Sequence, residues 1–163
     1  MIKKEKKEKN ETNYLVLDSV RSVLNVGAIF RTADAIGVNK IFLCGYCPTP
    51  EDRFGRIRKD FQKTSLGAKT PWEYRKDILE LVLELKKEGF NILAVEQDKN
   101  SVDYKKAKLS NKNVIIMGNE NFGVGKKVLE NADQILELPM KGFKNSLNVS
   151  VTTGIILYSL LDK

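Results

Sequence analysis

Three short segments carry the residues whose types and spacing can do chemistry. In Asn25-Val26-Gly27-Ala28-Ile29-Phe30-Arg31-Thr32-Ala33, a side-chain amide and a guanidinium lie on one predicted helix. At ~100° per residue Arg31 points about 150° away from the apolar stripe, toward solvent or a ligand. A guanidinium in that place suits an anionic substrate. The second segment, Gly118-Asn119-Glu120 with Gly123, offers a carboxylate in a glycine-bearing loop. The third, Leu138-Pro139-Met140-Lys141-Gly142-Phe143-Lys144-Asn145-Ser146-Leu147-Asn148-Val149-Ser150, breaks at proline and glycine and then enters a helix. Such a turn leaves backbone N–H and C=O groups free, and Ser146 and Asn148 add short side-chain donors and acceptors, so the loop can grip a polar ligand.

Elements of one architecture must position these segments. Tyr14 to Asp18 and Ile41 to Cys44 are apolar runs suited to buried strands. Between them Val26, Ile29, Phe30, Ala33 and Ile36 follow helical spacing, with Asn25 as the expected N-cap and Gly37 as the stop. A second helix is expected from Lys76 to Glu88, then a strand at Ile92 to Val95. A fourth strand at Val114 to Met117 leads into the Gly118 loop, and a short helix through Val128 and Leu129 follows. A strand at Gln134 to Leu138 precedes the final helix, expected from Ser146 to Leu161. Continuous apolar strands alternating with helices indicate an α/β fold, a mostly parallel sheet flanked by helices. All three polar loops then stand at the carboxyl ends of strands, the edge where open α/β sheets bind ligands, and imply one composite site.

The 163 residues fit a single domain, read as 14–163 behind a disordered basic arm, 1–13. That arm holds five lysines and two glutamates in its first ten residues and lacks the apolar core of a secretory signal. No stretch approaches the ~20 apolar residues that cross a bilayer, so a cytoplasmic location with no membrane partner is expected. Lys plus Arg exceed Asp plus Glu by 28 to 21, giving +7, which favours a polyanionic partner. The connection from Gly45 to Trp72 concentrates Arg53, Arg56, Arg58, Lys59 and Lys63 among Tyr46, Phe54 and Phe61. So long a connection reads as a functional or disordered loop.

Several chemistries drop out. The sequence has no histidine, which excludes serine-hydrolase triads and histidine-ligated metal sites, and no metal is expected. Cys44-Gly45-Tyr46-Cys47 has redox spacing, but Pro48 and Pro50 follow where a helix would open, so two reduced thiols are the better reading. The Gly118 loop lacks the ending of a P-loop, and no G-x-G-x-x-G follows the first strand, which argues against a nicotinamide oxidoreductase. The last helix is apolar on two sides, with Leu147, Val151, Ile155 and Tyr158 on one and Val149, Ile156 and Leu160 on the other. One side needs cover, and a homodimer would supply it.

Taken together, N-x-G-x-x-x-R-T-A at Asn25 to Ala33, G-N-E at Gly118 to Glu120 and P-M-x-G-x-x-x-S-L-N-V-S at Pro139 to Ser150 closely resemble the SpoU (TrmH-like) family of SPOUT RNA methyltransferases. The resemblance covers nearly all of the chain after Asn13. It implies a C-terminal trefoil knot, S-adenosylmethionine as cofactor, a homodimer, and methyl transfer to a ribose 2′-hydroxyl of tRNA or rRNA. It further implies catalytic roles for Arg31, Asn25, Glu120, Ser146 and Asn148, and cofactor contacts at Val95, Glu96, Gly118, Asn119, Leu138, Met140, Ser146 and Leu147. A separate RNA-binding domain such as some members carry before the knot is not expected here. RNA capture then falls to the arm, Arg21, Arg31 and the Arg53, Arg56, Arg58, Lys59 and Lys63 loop. Arginine is a reluctant base, so Arg31 is expected to bind phosphate and 2′-oxygen and stabilise the developing alkoxide. A non-catalytic RNA chaperone on the same fold is the alternative.

Overall fold

A computed structural model describes residues 11–163. Seven parallel strands form one sheet: β1 Thr12–Asp18, β2 Lys40–Cys44, β3 Trp72–Arg75, β4 Asn91–Val95, β5 Val102–Asp103, β6 Lys112–Met117 and β7 Gln134–Glu137. Their spatial order is β3-β2-β1-β6-β4-β7-β5. Five helices cover the sheet: α1 Val23–Ile36, α2 Lys59–Ser65, α3 Ile78–Lys87, α4 Lys126–Asn131 and α5 Val149–Leu161.

The period of two along each strand divides the core into two layers. Leu15, Leu17, Ile41, Leu43, Leu93 and Ile115 face one way and pack with Ile29 and Phe30 of α1 and Ile156, Leu157 and Leu160 of α5. Val16, Phe42, Ile92, Ala94, Val114 and Ile116 face the other way and pack with Leu81, Val82 and Leu85 of α3 and Val128 of α4. Burial on both faces explains why these strands are unbroken apolar runs.

Four boundaries differ from the sequence reading. β1 starts at Thr12, inside the stretch given to the arm, because Thr12 pairs with Lys112 of β6 and its amide reaches Asn111 O at 2.7 Å. The rest of that arm, residues 1–10, lies outside the described residues. Helix α1 is capped by Ser22, not Asn25: Ser22 has extended backbone and its Oγ accepts the Asn25 amide. Helix α5 begins at Val149 rather than Ser146, because Asn148 takes the cap and accepts the Ser150 amide at 2.8 Å.

The fourth difference is the connection from Gly45 to Trp72, which is folded. A tight turn, in which Asp52 Oδ1 accepts the amides of Phe54 and Arg56, leads through a Glu51–Ile57 bridge to α2. The amides and guanidinium of these partners hold the Asp52 carboxyl below its ordinary range. Helix α2 lies close against α1 at Gly27, where a Cβ would run into Thr64 Oγ1 and the Phe61 carbonyl. Gly27 therefore serves helix packing and not ligand binding.

β1 leads through α1 to β2 on one side, whereas its other neighbour is β6, with β4 and then β7 beyond it. On that second side a crevice opens at the carboxyl ends of β6, β4 and β7, the edge where open α/β sheets bind ligands.

Candidate active site

That crevice is a cavity of about 1010 Å³. Its floor is the ends of β4 and β6, Val95 and Met117; its walls are the 118–124 loop and the 138–148 segment. Every position expected to touch cofactor lines it: Val95, Glu96, Gly118, Asn119, Leu138, Met140, Ser146 and Leu147. Glu120 and Asn148 line it as well.

Each wall is held by a few specific bonds. Asn119 is buried and donates Nδ2 to Ser19 O at 2.7 Å, while its Oδ1 accepts the amides of Asn121 and Phe122 at 2.8 and 3.0 Å. Its side chain thus organises the loop and fastens it to the end of β1. Glu96 likewise accepts the amides of Gln97 and Val124 at 2.8 and 2.9 Å. Gly118 is obligatory, since a Cβ there would overlap the Gly123–Val124 backbone. Gly123 has φ 67°, and a Cβ would strike the Glu96 carboxylate. The opposite wall is tied down by Gln97 Nε2, which donates to Asn145 O at 2.6 Å.

Across the mouth runs a chain of polar side chains. Asn148 Nδ2 donates to Asn25 Oδ1 at 3.3 Å, and Asn25 Nδ2 donates to Glu120 Oε1 at 3.4 Å. Glu120 also accepts the Arg21 and Ser22 amides at 3.3 and 3.5 Å, so its negative charge sits at the amino end of α1, where the helix dipole favours it. Asn25 reaches both partners because Ser22 caps α1 and leaves the Asn25 side chain free. The Asn148 carbonyl oxygen is committed to the Ser150 amide and hydroxyl, at 2.8 and 2.6 Å. Nearby, burial pushes the Asp18 carboxyl above its ordinary value, against hydrogen bonds from Ser19 and the Gly125 backbone that lower it.

Arg31 and the basic residues of the 45–72 segment are not gathered there. Arg31 is exposed on α1, and its guanidinium forms no hydrogen bond or ion pair with any described residue. Ser146 is exposed and lines the cavity. In the 45–72 segment Arg56 pairs with Asp52 and Lys63 with Asp60, each at 2.9 Å. Arg58 donates Nε to Thr49 O at 2.9 Å and so braces its own loop, whereas Arg53 and Lys59 stand exposed.

Gln97, Phe122, Glu137 and Lys144 line the cavity without having been singled out. Gln97 and Glu137 carried a readable signal, being polar residues at the ends of apolar strands. The two cysteines are buried and free, and burial pushes both thiols up to about 12. Among the described residues no helix is long and apolar enough to cross a membrane.

Comparison with known proteins agrees with this arrangement. Residues 12–158 match the SpoU rRNA Methylase family. A tRNA (guanosine(18)-2′-O)-methyltransferase of Aquifex aeolicus is 35% identical over 155 residues, covering 93% of this chain and 70% of the relative. The crystal structure of the A. aeolicus TrmH/SpoU tRNA modifying enzyme superposes with a TM-score of 0.81 at 32% identity, over 97% of this chain and 77% of that one. An AdoMet-bound rRNA methyltransferase from Sinorhizobium meliloti gives 0.81 at 28% identity, over 91% of this chain, which spans only 55% of it. With the match running from β1 into α5 and taking in the floor and both walls of the crevice, this chain belongs to the SpoU rRNA methylase family.

Proposed function

We propose that this protein transfers the methyl group of S-adenosylmethionine to a ribose 2′-hydroxyl of tRNA or rRNA. The observation that carries the reading is the Glu120–Asn25–Asn148 chain at the mouth of a cavity sized for a nucleoside cofactor. The Aquifex relative is named for 2′-O-methylation of a tRNA guanosine, and the Sinorhizobium structure is titled as AdoMet-bound, which supports both substrate class and cofactor.

The residues present fit that cofactor. Val95, Met117, Leu138 and Leu147 offer apolar walls for a purine, the glycine-bearing loop at Gly118 lets backbone approach closely, and the carboxylates of Glu96, Glu120 and Glu137 favour a sulfonium cation. When bound, S-adenosylmethionine supplies an electrophilic methyl group. The chain's task is to hold the hydroxyl in line with it and to stabilise the negative charge that grows on oxygen. Asn25, fixed at both ends, orients the substrate beside Glu120, and Ser146 supplies a free hydroxyl on the facing wall. Arg31 binds the RNA phosphate and the 2′-oxygen and lowers the hydroxyl's pKa by its charge.

Arg31 performs this in the partner subunit of a homodimer. Leu24, Ala28, Arg31 and Ala35 occupy one face of α1, so Arg31 is the single charge on an otherwise apolar stripe. Helix α5 packs against α1 and exposes Val151, Ile155 and Tyr158. Two such faces brought together by a two-fold axis would bury this apolar surface and carry each Arg31 toward the other subunit. The C-terminal part of the chain is read as a trefoil knot, a reading supported by the family match over residues 12–158. Arg21, Arg53, Arg56, Arg58, Lys59 and Lys63 form the RNA-facing surface, and the cytoplasm is the place of action.

The test is methyl incorporation from labelled S-adenosylmethionine into RNA extracted from cells lacking the protein, with the 2′-O-methyl position mapped. One new position is expected. RNA binding with no cofactor binding and no transfer would overturn the enzyme in favour of a chaperone.

A further inference from the structure

The Cys44-Gly45-Tyr46-Cys47 turn lines no part of the cavity, yet nearly every residue in it is braced. The Cys47 amide donates to Cys44 O at 3.2 Å, the Cys47 thiol donates to Leu17 O at 3.2 Å, and its sulfur accepts the Val20 amide at 3.1 Å. Tyr74 Oη donates to Gly45 O at 2.8 Å, and the Tyr46 amide donates to Ser19 Oγ at 3.3 Å. What this rigid turn displays is one aromatic ring, Tyr46, which is 77% exposed. The ring therefore packs into no core. The Arg21 guanidinium sits 5.4 Å from its centroid, and the Arg21 amide donates to Glu120 Oε2 at 3.3 Å. Tyr46 thus stands one residue away from the polar chain at the cavity mouth, on the same carboxyl edge of the sheet.

We infer that Tyr46 is a stacking platform for an unpaired RNA base flanking the reacting ribose, with Arg21 beside it to hold the adjoining phosphate; this rests on the RNA methyltransferase reading above. Single-stranded RNA is read by splaying bases onto aromatic rings and guanidinium planes, and stacking needs an exposed ring that does not move. The bracing of the turn supplies the second condition, which an ordinary surface tyrosine lacks. The same pairing recurs at Phe54, 66% exposed, with the guanidinium groups of Arg53 and Arg56 at 4.7 and 4.9 Å. Rings under guanidinium groups thus continue from the cavity mouth onto the basic loop.

The experiment compares Tyr46→Ala, Tyr46→Leu and Tyr46→Phe with the wild type. Binding and methylation kinetics are measured on RNA extracted from cells lacking the protein. S-adenosylmethionine affinity and melting temperature are recorded alongside. Loss of the stacking ring should raise the RNA KM and Kd about tenfold in the Ala and Leu variants. Cofactor affinity and melting should stay at wild-type values, and Tyr46→Phe should behave as wild type. An active wild type whose Ala and Leu variants bind RNA equally well would overturn the platform and leave methyl transfer standing. A Phe variant as weak as Ala would overturn stacking in favour of the phenol hydroxyl. A wild type that neither binds nor methylates RNA would overturn both readings.

Discussion

Asn25 and Asn148 lie 123 positions apart in the chain, yet the amide of one donates to the amide of the other at 3.3 Å, and the free end of Asn25 continues to Glu120. This contact joins the first helix to the cap of the last across the mouth of the cavity. Asn25→Ala removes both bonds of the chain while leaving the Ser22 cap of α1 in place. The variant should bind S-adenosylmethionine with wild-type affinity and turn over at least tenfold more slowly, the scale of a lost positioning contact. Calorimetry with the cofactor and single-turnover methylation separate the two quantities. Normal turnover would remove Asn25 from the site.

Gly118→Ala tests the loop that forms one wall. The added methyl group overlaps the Gly123–Val124 backbone, which cannot swing aside as a side chain could. Cofactor binding should weaken by more than tenfold, while hydrogen exchange slows as before in the strands and accelerates only in 118–124. Gly27→Ala offers the contrast: its methyl group meets Thr64 and Phe61 at the α1–α2 contact, so it should destabilise the fold by about 1–3 kcal/mol and leave cofactor affinity alone. Equal cofactor losses in the two variants would contradict this division.

The assignment of Arg31 to the partner's site is tested by mixing. Arg31→Ala and Gly118→Ala proteins should each be inactive. Refolding them together should leave one complete site in each heterodimer, built from the Arg31 of one subunit and the Gly118 loop of the other, and activity should return toward about a quarter of wild type for random pairing. A persistently dead mixture places Arg31 in its own subunit. Arg31→Lys, which keeps the charge but loses the fork, should remain well below wild-type turnover.

The buried thiols give a pH prediction. Burial pushes Cys44 and Cys47 up to about 12, so the native protein holds both in the unreactive thiol form where an unfolded chain would release their protons. The stability they contribute is fully present below the ordinary thiol range and is lost as pH rises toward 12. Iodoacetamide at pH 8 should modify neither cysteine until denaturant is added. The Cys44→Ala/Cys47→Ala protein should show a shallower alkaline loss of stability than the wild type, and identical alkaline profiles would contradict the assignment.

The parts of the fold that could be read ahead were those where one physical demand dominates. Leu15 to Leu17, Phe42 and Leu43, Ile92 to Ala94 and Val114 to Ile116 are buried on both sides of the sheet, so no polar residue interrupts them. Trp72 to Arg75 and Val102–Asp103 escaped notice because they are short, half-exposed outer strands with no such run. Helix starts shifted because the cap is the residue at which the chain turns into the helix: Ser22 and Asn148 stand there, whereas Asn25 already lies inside α1 and Ser146 lies before α5. The cavity walls were legible as polar, glycine-bearing loops after strands. Their sharing of one site was legible too, from the common sheet edge, but the individual bonds were not, since the Asn25–Glu120 bond spans 95 positions and nothing in either segment names the other. Tyr46 was hidden by its neighbours: C-x-x-C spacing drew the reading to sulfur, when the thiols serve as the frame.

Because Asn148 lies so late in the chain, the order of synthesis constrains when this protein can act. A nascent chain emerging through β7 already contains every strand of the sheet, together with Asn25 and Glu120. It still lacks the second wall of the cavity and the donor that completes the polar chain. Sheet formation and site formation are therefore separate events, and the second waits for the last helix to dock against α1. A cut between Leu138 and Asn148 would leave each of those strands intact and separate the two halves of the site.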